Sequence, residues 1–264
     1  MRLIEVAVCD HGGILAIKTF IAFGCVHIPH HDKEHAAWII SQIKERKPQV
    51  VVCLGDLIDA ESVSVYPKVD PVKLSAEYEA AAEFMELVGD AAPKTTKIFM
   101  QGNHEERIFR PDQSDVFNLI DYRKHIKQFK RWKHYEYIFD EAHTYNLGQL
   151  VFAHGWGYTK TGRTEDFEGM DLGGRISYRC YVHAHTHRPS MGQMRSGSDK
   201  LEYYRCNVGC GIDFDWVKRG YAKKRNISMW QHALAWGWAE TKRRADSKCN
   251  WGIELLRGKK AWEV

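Results

Sequence analysis

Residues 50–59 read VVVCLGDLID. Five apolar residues run without a break, and three are β-branched valines. That pattern fits a short strand buried on both faces, as in a sheet covered from both sides. Gly55 follows at once, and Asp56 and Asp59 lie three apart in the turn that it opens. Ligating side chains are thereby set at the carboxyl end of a strand, where open α/β sheets build their sites.

The flanking chain repeats the theme. Ile14–Cys25 is apolar and β-rich and reads as a strand, with residues 2–8 expected to pair with it through Gly12-Gly13. Asp32 is placed to N-cap a helix running to about Arg46, with Trp38, Ile39, Ile40 and Ile43 inward and Pro48 beyond its end. Pro71 fits the first turn of a second helix whose Leu74, Tyr78, Ala81, Ala82 and Met85 share a face, and Pro93 breaks it. Thr96–Gln101 reads as a strand closed by Gly102. The basic-aromatic stretch from about Asp115 to Lys133 reads as helical, a lid or a polar helix face. Leu150–Ala153, Tyr178–His183, Leu201–Val208, Met229–Glu240 and Asn250–Leu255 read as strands. Repeats, low-complexity tracts and linkers are lacking, which predicts one domain over residues 1–264, with a motif-bearing core at about 14–240 and basic C-terminal strands at 216–264.

A chain of 264 residues can bury a core without staples. Its seven cysteines are odd in number and scattered, unlike a disulfide scaffold. The N-terminus shows no signal-peptide pattern, and no apolar run approaches the roughly 20 residues of a membrane span. The expectation is a soluble, cytoplasmic protein with reduced thiols. From Trp216 onward 12 Lys/Arg stand against 4 Asp/Glu, or +8, while the first 215 residues hold 26 against 30, or −4. That basic end would suit a phosphate-rich partner, or would simply be a solvated surface.

Five ligand-bearing motifs follow one another: Cys25-x-His27, Gly55-Asp56-x-x-Asp59, Gly102-Asn103-His104-Glu105, His154-Gly155 and His185-Thr186-His187. Mixed imidazole and carboxylate sites suit Mn, Fe, Zn or Co rather than Ca or Mg. Two such ions roughly 3.5–4 Å apart can clamp a phosphoryl group and hold a hydroxide for in-line attack. His104, beside Asn103, could protonate the leaving oxygen or stabilise the charged transition state.

In this order the motifs resemble those of the calcineurin-like metallophosphoesterase superfamily: D-x-H, G-D-x-x-D, G-N-H-[E/D], G-H or H-G, and G-H-x-H. Cys25-Val-His-Ile-Pro-His-His-Asp32 resembles the D-x-H-x-P-x-x-D form of the first, and the motifs span about Phe20 to Pro189. The resemblance implies a four-layer αββα sandwich, two mixed β-sheets flanked by helices. It implies two divalent ions, Mn, Fe or Zn, with Mn or Zn foremost. Metal one would take the residue at 25, His27, Asp56 and His187. Metal two would take Asp56, Asn103, His154 and His185, with Asp56 as the bridge. Asp59 would stand behind the ligands, His104 would be catalytic, and Glu105 would orient it. Arg107 and Arg188 are candidates to touch substrate phosphate, and His30 to line the cleft.

The implied activity is hydrolysis of a phosphodiester or phosphomonoester by a hydroxide held on the metals. The compact motifs resemble bacterial and phage-type members, which favours nucleotide or nucleic-acid-type substrates over phosphoproteins. Two other readings stand beside it. One is a binding or scaffold protein that keeps the fold but has lost turnover. The other is a DNA or RNA nuclease gripping the backbone with Lys223, Lys224, Arg225, Arg243 and Arg244.

Two departures from the pattern matter. Ala184 replaces a glycine, so His183-Ala184-His185 is also a His-x-His. His185 and His187 are preferred, because Thr186, Arg188 and Pro189 complete H-T-H-R-P. Cys25 replaces an aspartate, and Asp10 cannot stand in because Gly12 holds its i+2 place. Cys25 is read three ways: as a thiolate ligand that favours Zn or Fe(II), as a non-ligand, or as a site altered by engineering or decay. Chance could supply one or two apparent ligands from 14 histidines, and His30, His31, His35, His125, His134, His143 and His232 are read by default as packed residues, although His30 and His31 are near enough to the first loop to line a substrate cleft. Trp230, Trp236 and Trp238 read as one face of a strand.

Overall fold

The strand Ile17–Phe23 (β1) sends Phe20 and Ala22 to one side and Ile21 and Phe23 to the other, and all four are buried. Val50–Cys53 (β2) and Thr96–Met100 (β3) bury both faces in the same way. This is why residues 50–53 are apolar without alternation: successive side chains point to opposite faces, and both faces are covered. The structure is a computed structural model and describes residues 17–65, 68, 70–109, 132–135, 144–155, 180–195, 202–221, 227–241 and 251–261.

The remaining strands are Lys133–Tyr135 (β4), Tyr145–Leu147 (β5), Leu150–Phe152 (β6), Cys180–His183 (β7), Ser190–Arg195 (β8), Glu202–Asn207 (β9), Gln231–Glu240 (β10) and Trp251–Lys260 (β11). They form a six-stranded sheet, β11-β10-β1-β2-β3-β4, and a five-stranded sheet, β5-β6-β7-β9-β8. Both are mixed. β1 through β4 run parallel, β10 lies antiparallel beside β1, and β11 lies antiparallel beside β10. β6, β7 and β9 run parallel between antiparallel edges. The sheets pack face to face as an α/β sandwich. Phe20, Val50, Val52 and Ile98 meet Phe152, Val182 and Cys206 between them. Phe20 and Phe152 lie edge to face at 5.1 Å.

The helices Lys33–Arg46 (α1) and Leu74–Ala91 (α2) cover the outer face of the first sheet. Ile39 and Ile43 of α1 and Tyr78, Ala81, Phe84 and Val88 of α2 pack on Ile21, Phe23, Val51 and Phe99. The matching helical layer on the second sheet is not among the described residues. α1 begins as expected: Asp32 accepts from His35 N at 2.8 Å, and Lys47, left-handed at the far end, closes it. Among the described residues, no helix is long and apolar enough to cross a membrane.

Several boundaries differ from the sequence expectation. α2 starts at Leu74 and not at Pro71, because Lys73 is still extended and its carbonyl receives the first helical bonds. Lys133 is not the end of a helix but the start of β4, which pairs in parallel with Ile98–Met100. Pairing with an open sheet edge overrides local preference for so short a segment. β5 and β8 had no clear alternation to announce them. β11 continues past Leu255 to Lys260. Residues 2–8 with their Gly12-Gly13 turn, the basic-aromatic segment up to residue 131, and Lys223, Lys224, Arg225, Arg243 and Arg244 lie outside the described residues.

Candidate metal centre

The ligand loops are backbone devices first. Cys25, His27, Asp56, His185 and His187 all have positive φ, between 50° and 67°. Left-handed backbone costs a non-glycine residue roughly 1–2 kcal/mol, and such residues gather at functional sites. Gly55 (φ 88°) and Gly102 have a steric reason to be glycine. A Cβ on Gly55 would lie 2.4 Å from Gly102 N, and one on Gly102 would lie 2.3 Å from Asp56 N and Oδ1. The second and third loops therefore touch back to back. Ala184, in contrast, is not among the residues at positive φ, which explains how alanine fits there.

Hydrogen bonds join the first two loops. Cys25 N donates to Gly55 O at 2.9 Å, His27 N to Asp56 O at 3.0 Å and Ile28 N to Leu57 O at 2.7 Å. Glu105 clasps the second loop to the third. Its carboxylate accepts from Asp56 N (2.9 Å), Leu57 N (2.7 Å), Ile58 N (3.1 Å) and Gly102 N (2.7 Å). Burial and then the Asp56 charge push its pKa up, while these donors pull the other way. Glu105 thus reaches loop amides rather than the His104 ring.

The side chains converge in the interior. His27 Nδ1 sits 3.0 Å from Asp59 Oδ1, so Nδ1 carries the proton and Nε2 faces His187 Nε2 at 3.0 Å. His154 Nδ1 donates to Leu54 O at 2.7 Å, and its Nε2 is 3.0 Å from Asn103 Oδ1 and 3.2 Å from Asp56 Oδ2. The Cys25 sulfur lies 4.0 Å from Asp56 Oδ2 and accepts from His185 N at 3.1 Å. The His185 ring meets His154 edge to face at 5.2 Å between centroids.

Electrostatics favour cation binding. Burial, and then His104, lowers the pKa of His27, and burial with His27 takes His187 well down. Burial with His154 takes His185 to about 3. These imidazoles are neutral at neutral pH and keep a lone pair for a cation. Burial raises Asp56, but His154, His104 and His27 outweigh it and hold it well below the usual carboxylate range. His154 moves the opposite way: burial lowers it, and Asp56 more than restores it. Asp56 Oδ2 and His154 Nε2, 3.2 Å apart, thus favour each other's charged form.

Donor atoms of Cys25, His27 and His187 lie within 4.8 Å of one another, as do those of Cys25, Asp56 and His154, and of His27, Asp56 and His104. Imidazole tautomers fixed from behind, with lone pairs turned inward, are the arrangement that metal-ligating histidines need. The residues present fit divalent ions.

His104 sits at the edge of this cluster. Its N–H donates to Asp56 Oδ1 at 2.9 Å, its Nδ1 donates to Asp59 O at 2.6 Å, and its Nε2 accepts from Arg107 Nη2 at 3.0 Å. Arg107 also donates to Asp59 O at 2.7 Å and is 3 % exposed. Its guanidinium is spent on the loop and on His104. His30 stacks on Trp216 at 3.9 Å and lies 3.7 Å from Glu61. Arg188 follows His187 and is partly exposed. His183 stands apart from the clusters, stacked on Tyr181, and burial with Arg205 takes it to about 3.

Four further residues support the loops. Asn207 Nδ2 donates to Ala184 O at 2.9 Å and Thr186 Oγ1 at 2.7 Å. Gln231 N donates to His187 O at 3.2 Å, and Trp230 meets the His187 ring edge to face at 4.2 Å. Glu77 of α2 accepts from Ala60 N at 2.5 Å, next to Asp59. No motif in the sequence singled out any of the four as a site residue.

The calcineurin-like phosphoesterase profile matches residues 18–214, and the chain belongs to that family. No curated protein sequence matches it. Among solved structures, it is similar to a dimetal phosphatase from Danio rerio at TM-score 0.45 and 10 % identity, over 91 % of this chain and 98 % of that one. It is similar to Yfce, a phosphoesterase from E. coli, at 0.43 and 12 %, over 90 % and 99 %. It is also similar to Vps29 from Entamoeba histolytica, solved with Zn, at 0.43 and 11 %, over 90 % and 98 %.

Proposed function

We propose that the chain is a divalent-metal-dependent phosphoesterase acting on phosphodiesters or phosphomonoesters, with nucleotides and nucleic-acid-type esters as the favoured substrates. The observation that carries this is the buried convergence of imidazoles on one low-pKa carboxylate, Asp56, with His104 at its edge. His27, Asp56 and His187, with Cys25 beside them, would hold one ion. Asp56, Asn103, His154 and His185 would hold the other. Such ions supply Lewis acidity toward phosphoryl oxygens and an oxygen nucleophile from water at neutral pH.

The chain's own residues do the rest. Asp59 and the Leu54 carbonyl fix the tautomers of His27 and His154. Glu105 holds the two acidic and amide loops in register. Asp59 O accepts from His104 Nδ1 and Arg107 Nη2 donates to His104 Nε2, so the two together fix the orientation of the ring. Released from Arg107, His104 Nε2 would take a proton from solvent and pass it to the leaving oxygen. The compact motif spacing and the basic C-terminal end support nucleotide-like esters. The five described cysteines are free and buried, in keeping with a reducing, cytoplasmic setting.

Hydrolysis of a chromogenic phosphodiester and its monoester counterpart, by metal-stripped protein resupplied with Mn or Zn, tests the reading. Turnover that needs added metal is expected. A folded chain inert with every divalent ion would instead be a binding or scaffold protein, the reading that Cys25 favours.

A further inference from the structure

Cys25 sits where a carboxylate was expected, and although it belongs to the core between the sheets, polar groups also meet its sulfur. The residue is fully buried, yet its backbone is left-handed at φ 52°, which is uncommon for a side chain that merely fills space. Both backbone polar groups are tied down, N to Gly55 O and O to Gly211 N, each at 2.9 Å. The position of the Cys25 backbone is therefore set by the loop. Its sulfur lies within 4.8 Å of donor atoms of His27 and His187 and of donor atoms of Asp56 and His154.

Two distances bear on what could sit among these atoms. In a tetrahedral zinc site with bonds of about 2.0–2.1 Å to nitrogen and about 2.3 Å to sulfur, two nitrogens stand about 3.3 Å apart and a sulfur and an oxygen about 3.6 Å. His27 Nε2 and His187 Nε2 are 3.0 Å apart, and Cys25 Sγ and Asp56 Oδ2 are 4.0 Å apart. Both lie within a few tenths of an ångström of the tetrahedral edges. The third observation is the His185 N–H aimed at the sulfur at 3.1 Å. A backbone donor on a thiolate is the outer support that tunes sulfur-ligated metals.

We infer that Cys25 is the fourth protein ligand of the position made by His27, Asp56 and His187, and that its sulfur turns this position toward Zn(II) and away from Mn(II). The inference rests on the metal centre proposed above and names its metal. Thiolate is a soft donor that selects zinc, whereas carboxylate in its place suits Mn. On binding, the S–H bond releases its proton to solvent and the sulfur lone pair forms the bond to the metal, with no change of oxidation state.

Cobalt(II) added to the metal-stripped protein tests this, because a Co–thiolate bond gives an intense near-ultraviolet charge-transfer band beside the weaker visible bands. The wild-type protein is expected to show both. Cys25→Ser is expected to keep the visible bands and lose the charge-transfer band. In Cys25→Asp the preference for Zn over Mn is expected to fall by at least about tenfold, the loss that removing even an outer partner of a metal ligand produces. Visible bands without a charge-transfer band in the wild type, or a charge-transfer band that survives in Cys25→Ser, would overturn the inference and leave the metal centre standing. No cobalt spectrum at all would remove the metal centre and the inference together. The wild-type spectrum needs no variant, so a Cys25→Ser chain that failed to fold would not spoil the test.

Discussion

His27 Nε2 and His187 Nε2 face each other at 3.0 Å, across 160 residues of sequence. The Asp59 contact keeps the His27 proton on Nδ1, so at least one lone pair points into the gap between the rings. Both rings are buried and held neutral. A divalent ion satisfies both nitrogens at once. Adding Zn or Mn to stripped protein at a hundred times its dissociation constant should stabilise the fold by about 2.7 kcal/mol. For a chain of this size that is a rise of roughly 5–10 °C in melting temperature. Differential scanning fluorimetry with and without chelator checks it, and His187→Ala should shrink the shift.

Glu105 accepts four backbone N–H groups with one carboxylate. Glu105→Gln leaves one acceptor oxygen and turns an NH2 toward donors. The cost should be about 2–4 kcal/mol, since each unsatisfied buried donor costs about 1–3 kcal/mol. Urea unfolding measures it. Turnover should fall as well, because the clasp sets Asp56 against the Asn103 loop. Unchanged stability would mean that the loops hold themselves.

Gly102→Ala places a methyl group 2.3 Å from Asp56 N and Oδ1, where only backbone and the Asp56 carboxylate could give way. Loss of metal from both proposed positions is expected, because Asp56 is proposed to serve both. Metal analysis after dialysis reads this directly. Retention of two ions would contradict the shared role of Asp56.

Burial pushes Glu77 up to about 8. Its neutral form is favoured in the folded chain, so its contribution is fully present below the ordinary glutamate range near pH 4.3 and is lost as pH rises through about 8. Over that window the fold should lose stability by about 1.4 kcal/mol per pH unit from this group. Glu77→Gln keeps an acceptor for Ala60 N and removes the titration. Its stability should vary less between pH 5 and 8 than that of the wild type, measured by urea unfolding at each pH. A parallel pH dependence in the two proteins would show that Glu77 is not the group responsible.

What was legible from residues and what was not divide along physical lines. Strand ends followed by Gly and a ligand were plain, because a buried strand must be apolar and the next residue must turn. α1 was plain because Asp32 and Pro48 bracket an apolar stripe. β4 was hidden, since a three-residue strand owes its state to the neighbouring edge of β3 and not to its own pattern. Proximity along the chain also misdirected two roles. Arg107 and Glu105 adjoin a motif, but the third loop folds back on the second, so both side chains turn inward onto Asp59, His104 and loop amides. Asn207, Trp230 and Gln231 reach the site from the far end of the chain, through β9 and the start of β10, which no local spacing could announce.

The most direct measurement is anomalous scattering at the zinc edge from crystals grown with Zn(II). Two ions per chain are expected, both within bonding distance of Asp56, one also reached by His27 and His187 and the other by Asn103 and His154. Absence of any ion at Asp56, or ions held only elsewhere on the surface, would contradict the two-metal centre on which the proposed activity depends.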